Sequence, residues 1–253
     1  MKNPYLSVII PAYNEAKNLP FTLIDVNKHL LEMKFLSVNS GQAYEIIVIN
    51  DGSKDATVEI VRRFSYLIKN LRLIDNKKNH GKGWVVRQGM LEAKGDIRLF
   101  MDADNATSVD QFNKMIPHLK EGYQVVIGSR DIEGAKLIPP QPFYRRFLGN
   151  IGNAIIQVLL LPGFWDTQCG FKAFTKEAAE KIFSLTKIDK WGFDPEVLAL
   201  AKIFGYKIKE IPVVWVNNPV SRVKITSYIQ MLLEVFKIKW WIITKKYKTR
   251  ANN

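Results

Sequence analysis

Short β-branched runs alternate with helical patterns through the first 130 residues, and that alternation restricts the fold more than any other feature of the chain. LSVII (6–10) reads as a buried strand, 16–34 as a helix, YEIIVI (44–49) as a second strand and 54–69 as a second helix. LRLID (71–75) is a third strand, followed by a helix over 82–94. IRLFM (97–101) is a fourth, followed by a helix near 108–120, and QVVIG (124–128) is a fifth. This spacing predicts crossover units and an α/β domain with a mostly parallel central sheet flanked by helices. Such sheets take ligands at the carboxyl ends of their strands.

From about 131 the pattern loosens. GAKLIPPQPFYRR (134–146) has three prolines and no clean period, and reads as a mobile loop leading into a helix near 144–161. SYIQMLLEVFKIKWWIITKKYKTR (227–250) reads as a helix that is apolar and basic at once. The expected division is therefore a catalytic or binding domain over 1–218 and a basic amphipathic segment over 219–253. No run reaches about 18 uninterrupted apolar residues, so no conventional transmembrane helix is expected. The opening MKNPYLSVIIPAYNE does not read as a signal peptide. The single cysteine, Cys169, excludes an intrachain disulfide, fits a reducing compartment and reads as packed.

Polar groups gather where the strands end: Pro11-Ala12-Tyr13-Asn14-Glu15, Asn50-Asp51-Gly52-Ser53, Asn79-His80-Gly81-Lys82-Gly83, Asp102-Ala103-Asp104 and Ser129-Arg130. Asp102 and Asp104, one residue apart on an extended segment, point to one side and attract a hard divalent cation such as Mg²⁺ or Mn²⁺. The other reading makes them caps or an Asx-turn for the following helix. Asp51 can accept from a nucleoside, or it and Ser53 can cap the second helix with Asp55 in its first turn. Gly81 and Gly83 let backbone approach a phosphate, and Lys82 adds a point charge.

The runs Val8-Ile9-Ile10-Pro11-Ala12-Tyr13-Asn14-Glu15, Asn50-Asp51-Gly52-Ser53 and Asp102-Ala103-Asp104 resemble the signature of glycosyltransferase family 2, on the GT-A fold. Asp166-Thr167-Gln168-Cys169-Gly170-Phe171-Lys172 and Trp191-x-Phe193-Asp194 look like the dolichyl-phosphate β-glucosyltransferases, and the likeness spans roughly 5–225. The resemblance implies a nucleotide sugar, UDP-glucose, at the strand ends. Asp51 would contact the uracil, and Pro11, Tyr13 and Glu15 would line the nucleotide pocket. Asp104 would hold the metal on the diphosphate, with Asp102 beside it at the ribose or a metal-bound water, and Lys82 would lie near the diphosphate. Gln168, Trp191 and Asp194 would face the sugar. Asp166 would orient substrate or act as a base, or else cap a turn after Pro162-Gly163. Asp194 with Pro195 also reads as a helix cap, and Trp191 as core.

The implied reaction is inverting transfer of glucose to a polyprenyl phosphate, dolichyl or undecaprenyl. A phosphate monoester has a second pKa of about 6 and needs positioning more than deprotonation. Arginine suits that task through its planar fork. The candidates are Arg130, Arg145, Arg146 and Arg222, each with a solvated surface role as the alternative. The net charge of +13 agrees with phosphorylated or membrane partners. Residues 222–253 carry eight Lys or Arg against one acid, Glu234, interleaved with Tyr228, Phe236, Trp240, Trp241 and Tyr247. That pattern suits a helix lying on the cytoplasmic face of a membrane, or a terminal helix packed on the domain or a second copy with its lysines outward. The opening does not read as the N-terminal anchor that eukaryotic members usually carry, so a bacterial or archaeal setting is expected. A Gln-x-x-Arg-Trp run is absent, which weighs against a processive synthase. Rival readings are a family member using GDP-mannose or a hydroxyl acceptor and, more distantly, a non-catalytic nucleotide- or nucleic-acid-binding module. Nucleic acid is not an expected partner, because it would place phosphates beside the aspartate pair.

Overall fold

The computed structural model describes residues 3–33, 44–140, 143–216 and 225–247, with backbone alone for 143–148, 150, 225 and 226. The five expected strands are present: β1 (Leu6–Ala12), β2 (Tyr44–Asp51), β3 (Leu71–Asn76), β4 (Ile97–Met101) and β5 (Val125–Ser129). Between them run α1 (Leu19–Glu32), α2 (Thr57–Leu67), α3 (Lys82–Glu92) and α4 (Phe112–Lys120), the last entered through a 3₁₀ turn over Val109–Gln111. Beyond β5 come β6 (Lys136–Ile138), α5 (Phe143–Leu159), β7 (Phe171–Thr175), α6 (Lys176–Phe183), α7 (Phe193–Ile203), β8 (Ile208–Pro212), β9 (Val214–Val216) and α8 (Ile225–Ile243).

Seven strands form one sheet in the order β3-β2-β1-β4-β7-β5-β8. β1 and β2 are buried along their whole length. That follows from their unbroken apolar runs, because a sheet covered on both faces has no polar side. Side chains alternate between two cores. Leu6, Val8 and Ile10 pack with α1, α2 and α4, whereas Ile9, Ile47 and Phe100 pack with α3, α6, α7 and α8. Four neighbouring pairs are parallel, and β7 alone runs antiparallel to both its neighbours, β4 and β5. Met101, the last residue of β4, pairs with Phe171, the first of β7. The chain therefore enters β7 at the edge where β1, β2, β4 and β5 leave the sheet. This reversal brings residues 166–170 to the predicted ligand edge.

One expectation needs correction. The stretch 134–146 is not simply loop: Lys136–Ile138 pairs in parallel with Val214–Val216, a partner too distant in sequence for local pattern to reveal. α8 packs on the domain along one face. Met231, Val235, Ile238 and Trp241 lie within the second core at the spacing of one helix face. The opposite face leaves Ile229, Leu233, Phe236, Trp240 and Ile243 more than half exposed, beside Val158 of α5 at 83%. Ala154, Ile155, Val158, Leu159 and Phe236 line an apolar crevice there. Among the described residues no helix is long and apolar enough to cross a membrane.

Phe100 joins the sheet to the site, packing at 5.7 Å on the Phe193 ring while fully buried. Phe100→Ala is expected to cost about 3–5 kcal/mol in urea unfolding. A loss below about 1 kcal/mol would contradict close packing at this point.

Candidate active site

Asp102 leaves β4 directly against the entry to β7. Its N–H donates to the Gly170 carbonyl at 3.2 Å, and a methyl group on Gly170 would overlap its carboxylate. From the opposite wall Thr22 of α1 donates to the Ala103 carbonyl at 2.7 Å, pinning the link between the two aspartates. The positive group beside them is Lys82, whose ammonium lies 2.6 Å from Asp102 Oδ1. Burial works against the Lys82 charge, but Asp102, Asp194 and Asp104 outweigh it and hold the ammonium above its usual value. Asp104 is more exposed and also accepts the Ala106 N–H at 3.1 Å. Its carboxyl is held above its usual range, first by the desolvating walls of the cleft and then by the Asp102 charge. The site thus carries more negative charge than Lys82 alone offsets.

Among the described residues no group of three or more His, Cys, Asp or Glu forms an all-protein metal cage. Two hard carboxylates with room for water and phosphate oxygens are instead the donor set of Mg²⁺ or Mn²⁺. The Asp pair fits such an ion, and the Asx-type bond from Asp104 to Ala106 does not exclude it.

The loop carrying Lys82 is fixed by Asp51. Its Oδ1 accepts the His80 N–H at 2.7 Å and its Oδ2 the Gly81 N–H at 2.9 Å, so this 3%-exposed carboxylate faces protein backbone. Gly81 has φ +106, where a side chain would be strained and would run into Asp189. Neither Asp51 nor Ser53 caps α2: Ala56 holds that position, and Asp55 accepts the Thr57 N–H at 3.0 Å. Ser53 instead accepts the Asn14 N–H at 2.9 Å, which joins the β1 exit to the β2 exit. Pro11 pairs with Ile49 one residue before β1 ends, Tyr13 is 41% exposed on the turn that follows, and Glu15 accepts from Asn18 Nδ2 at 2.6 Å.

After β5, Arg130 and Asp166 form a two-pronged pair, Nε to Oδ2 at 2.7 Å and Nη2 to Oδ1 at 2.9 Å. The Asp166 oxygens also accept the N–H groups of Arg130 (2.9 Å) and Gln168 (3.2 Å). Although burial opposes it, the guanidinium holds the Asp166 carboxyl below its usual range. A carboxylate so committed is a poor proton acceptor, and in this arrangement Asp166 holds Arg130. Glu210 of β8 in turn accepts the Asp166 N–H at 3.0 Å. Arg130 keeps about a quarter of its side chain exposed and lies 5.5 Å from the Trp215 ring, with its Nη1 donors outside the Asp166 fork.

Asp194 is not a cap either. α7 begins at Phe193 with Gly192 at the cap position, and Asp194 is buried against the Lys172 ammonium at 2.5 Å. Burial raises its carboxyl even so, with Lys172 opposing. Lys172 is fully buried and also donates to the Cys169 carbonyl. Burial pushes the Cys169 thiol up to about 12, in keeping with a packed cysteine. Trp191 is 37% exposed with Lys82 5.7 Å from its ring centre, and Gln168 is half-buried at the β7 entry. Of the remaining arginines, Arg145 and Arg146 belong to the backbone-only part of α5, and Arg222 falls outside the described residues. Sequence reasoning gave no role to Lys172, Gly170 or Glu210. A lysine between Phe171 and Ala173 in an otherwise apolar strand was the one available signal.

Because the Asp166 carboxyl is depressed, its contribution to stability is complete above the ordinary value of 3.8 and is lost as pH falls through the lower folded value. Arg130→Met should destabilise by about 3 kcal/mol near neutral pH, since it strands a buried charge. It should lose less at acid pH, where that charge can take a proton. Equal losses at both pH values in urea titrations would contradict the pair.

The model for glycosyl transferase family 2 matches residues 7–183. A dolichyl-phosphate beta-glucosyltransferase from Dictyostelium discoideum is 38% identical over 264 residues, covering 99% of this chain and 80% of that one. A Trichomonas vaginalis protein of the same name is 38% identical, covering 92% and 70%, and the human one 32%, covering 96% and 77%. Among solved structures, glucosyl-3-phosphoglycerate synthase from Mycobacterium tuberculosis, in complex with Mn²⁺, UDP and glucosyl-3-phosphoglycerate, superposes with TM-score 0.64 at 17% identity, covering 93% of this chain and 78% of that one. The mannosyltransferase PcManGT from Pyrobaculum calidifontis, with GDP-Man and Mn²⁺, gives 0.62 at 21% identity, covering 93% and 64%. These likenesses place the architecture in the GT-A-like class. With its strand-end aspartates on that fold and the family match over most of its length, the chain belongs to glycosyltransferase family 2.

Proposed function

We propose that this glycosyltransferase transfers glucose from UDP-glucose to a polyprenyl phosphate, with inversion, at a membrane surface. The carrying observation is a pair of charged arrangements at the carboxyl edge of the sheet: Lys82 bound to Asp102 with Asp104 one residue on, and Arg130 bound to Asp166. A divalent cation held by Asp102 and Asp104 would supply neutralisation for the departing diphosphate. Lys82, at the first turn of α3, would move from Asp102 to the diphosphate, where the helix N-terminus also favours negative charge. Asp51 would act on the nucleotide chiefly by shaping the 79–82 loop, with Pro11, Tyr13 and Glu15 on the neighbouring turn.

Arg130 would present its free donors to the acceptor phosphate while Asp166 keeps the guanidinium in place. The phosphate oxygen forms its bond to the anomeric carbon as the bond to the UDP oxygen breaks, and that electron pair leaves on UDP. A dianionic phosphate needs no proton removed, which suits a cleft where Asp51, Asp166 and Asp194 are each held by hydrogen-bond donors. The names of the relatives support glucose and dolichyl phosphate. The outward apolar face of α8 supports the membrane, since Lys237, Lys239, Lys245 and Lys246 flank it as basic residues would at an anionic cytoplasmic leaflet.

Radiolabelled UDP-glucose and GDP-mannose, each offered polyprenyl phosphate or the matching alcohol, test the reading. Label should enter lipid from UDP-glucose with the phosphate alone, and Asp104→Asn should lower the rate at least about 10²-fold. Transfer from GDP-mannose or to the alcohol would point to another donor or acceptor. Phe236→Glu combined with Trp240→Glu should release the protein from anionic vesicles, and undiminished sedimentation with them would remove α8 from the membrane surface.

A further inference from the structure

Glu234 is the one acid between residues 222 and 253, and it does not face solvent with the lysines. Its Oε2 accepts the Gly192 N–H at 2.7 Å, and Gln230 Nε2 donates to its Oε1 at 3.1 Å. The approach is close, because a Cβ on Gly192 would stand 2.7 Å from Glu234 Cβ. Gly192 follows Trp191 directly, and the 186–192 loop is gripped from both sides. On the α3 side the Asp189 carbonyl accepts the Trp84 N–H at 3.1 Å. There too Arg87 binds Asp189 Oδ1 at 2.9 Å and the Thr186 carbonyl at 3.1 Å. On the α8 side Lys187 Nζ donates to the Lys246 carbonyl at 3.0 Å. Glu196 accepts the Lys187 and Ile188 N–H groups at 2.9 Å each, together with the Tyr247 hydroxyl at 2.7 Å. The loop that puts Trp191 beside Lys82 is therefore clamped between the start of α3 and the C-terminal helix.

We propose that Glu234 is a positioning residue: from α8 it holds the 186–192 loop so that Trp191 walls the Lys82–Asp102 pair, which makes the C-terminal helix part of the donor pocket. The same helix turns its opposite face, Leu233, Phe236 and Trp240, outward. Glu234 on this helix, and Tyr247 just beyond its end, each make one hydrogen bond to this region, at Gly192 and Glu196. Naming the pocket a donor pocket rests on the transferase reading above; the placement of Trp191 does not.

The test uses the full chain labelled with fluorotryptophan, with the Trp191 fluorine resonance assigned by Trp191→Phe, alongside calorimetry with UDP and Mn²⁺. Glu234→Ala should shift the Trp191 resonance and weaken UDP binding at least about tenfold, the low end for losing one charge-assisted hydrogen bond. Glu234→Gln, whose amide oxygen still accepts from Gly192, should restore both. If Glu234→Ala does not fold, Gly192→Ala supplies the same displacement and should move the same resonance. An unmoved Trp191 resonance in a folded variant overturns the proposal, including the case where only the melting temperature falls. Should the unmodified protein fail to bind UDP, the transferase reading fails, and the resonance arm still decides whether Glu234 positions Trp191.

Discussion

The bond between Lys82 and Asp102 is the contact on which the site depends. Two aspartates one residue apart at the end of a buried strand repel, and a buried cation must stand beside them or their charges cannot both persist. Lys82 occupies that place only because its loop is held on every side. Asp51 takes the two amides before it, Gly81 turns where a side chain would strike Asp189, and Gly83 nests against Ile188 and Phe193. An ammonium balances one carboxylate. The second aspartate leaves a standing demand for positive charge, which a divalent ion arriving with a diphosphate would meet.

Much of this was legible in the chain because it is local. Strands such as Val8–Ile10 and Ile46–Ile49 are unbroken β-branched runs, and a fully buried strand has few other ways to be written. The carboxyl-end rule gathers Asp51, Lys82, Asp102 and Arg130 at one edge from the sequence alone. What was hidden is non-local. Nothing near Asp166 announces Arg130, 36 residues away, and a carboxylate that looked available as a base is occupied by a guanidinium. Asp194 followed by Pro195 reads as a cap in sequence, yet it pairs with a lysine in the reversed strand β7. The β6–β9 ribbon failed to register for the same reason: each strand is three residues long and its partner is distant.

The C-terminal helix shows how composition divides between two duties. Counting its lysines suggested a surface element, whereas its Met231–Val235–Ile238–Trp241 stripe belongs to the core. Both are satisfied because a helix has more than one face, and the apolar residues of α8 exceed what one buried stripe requires. The outward set then remains as an exposed apolar surface of a kind monomeric soluble proteins seldom carry without a use.

The measurement that bears most directly on this account is calorimetry of UDP with the full chain, in Mn²⁺ and again in EDTA. On the proposed reading the cation and the diphosphate bind together at Asp102, Asp104 and Lys82. Tight binding in Mn²⁺ that falls by at least about tenfold in EDTA is the predicted result. Equal binding in both conditions, or none in either, would mean that the aspartate pair does not hold a metal–diphosphate and that its charge has another purpose.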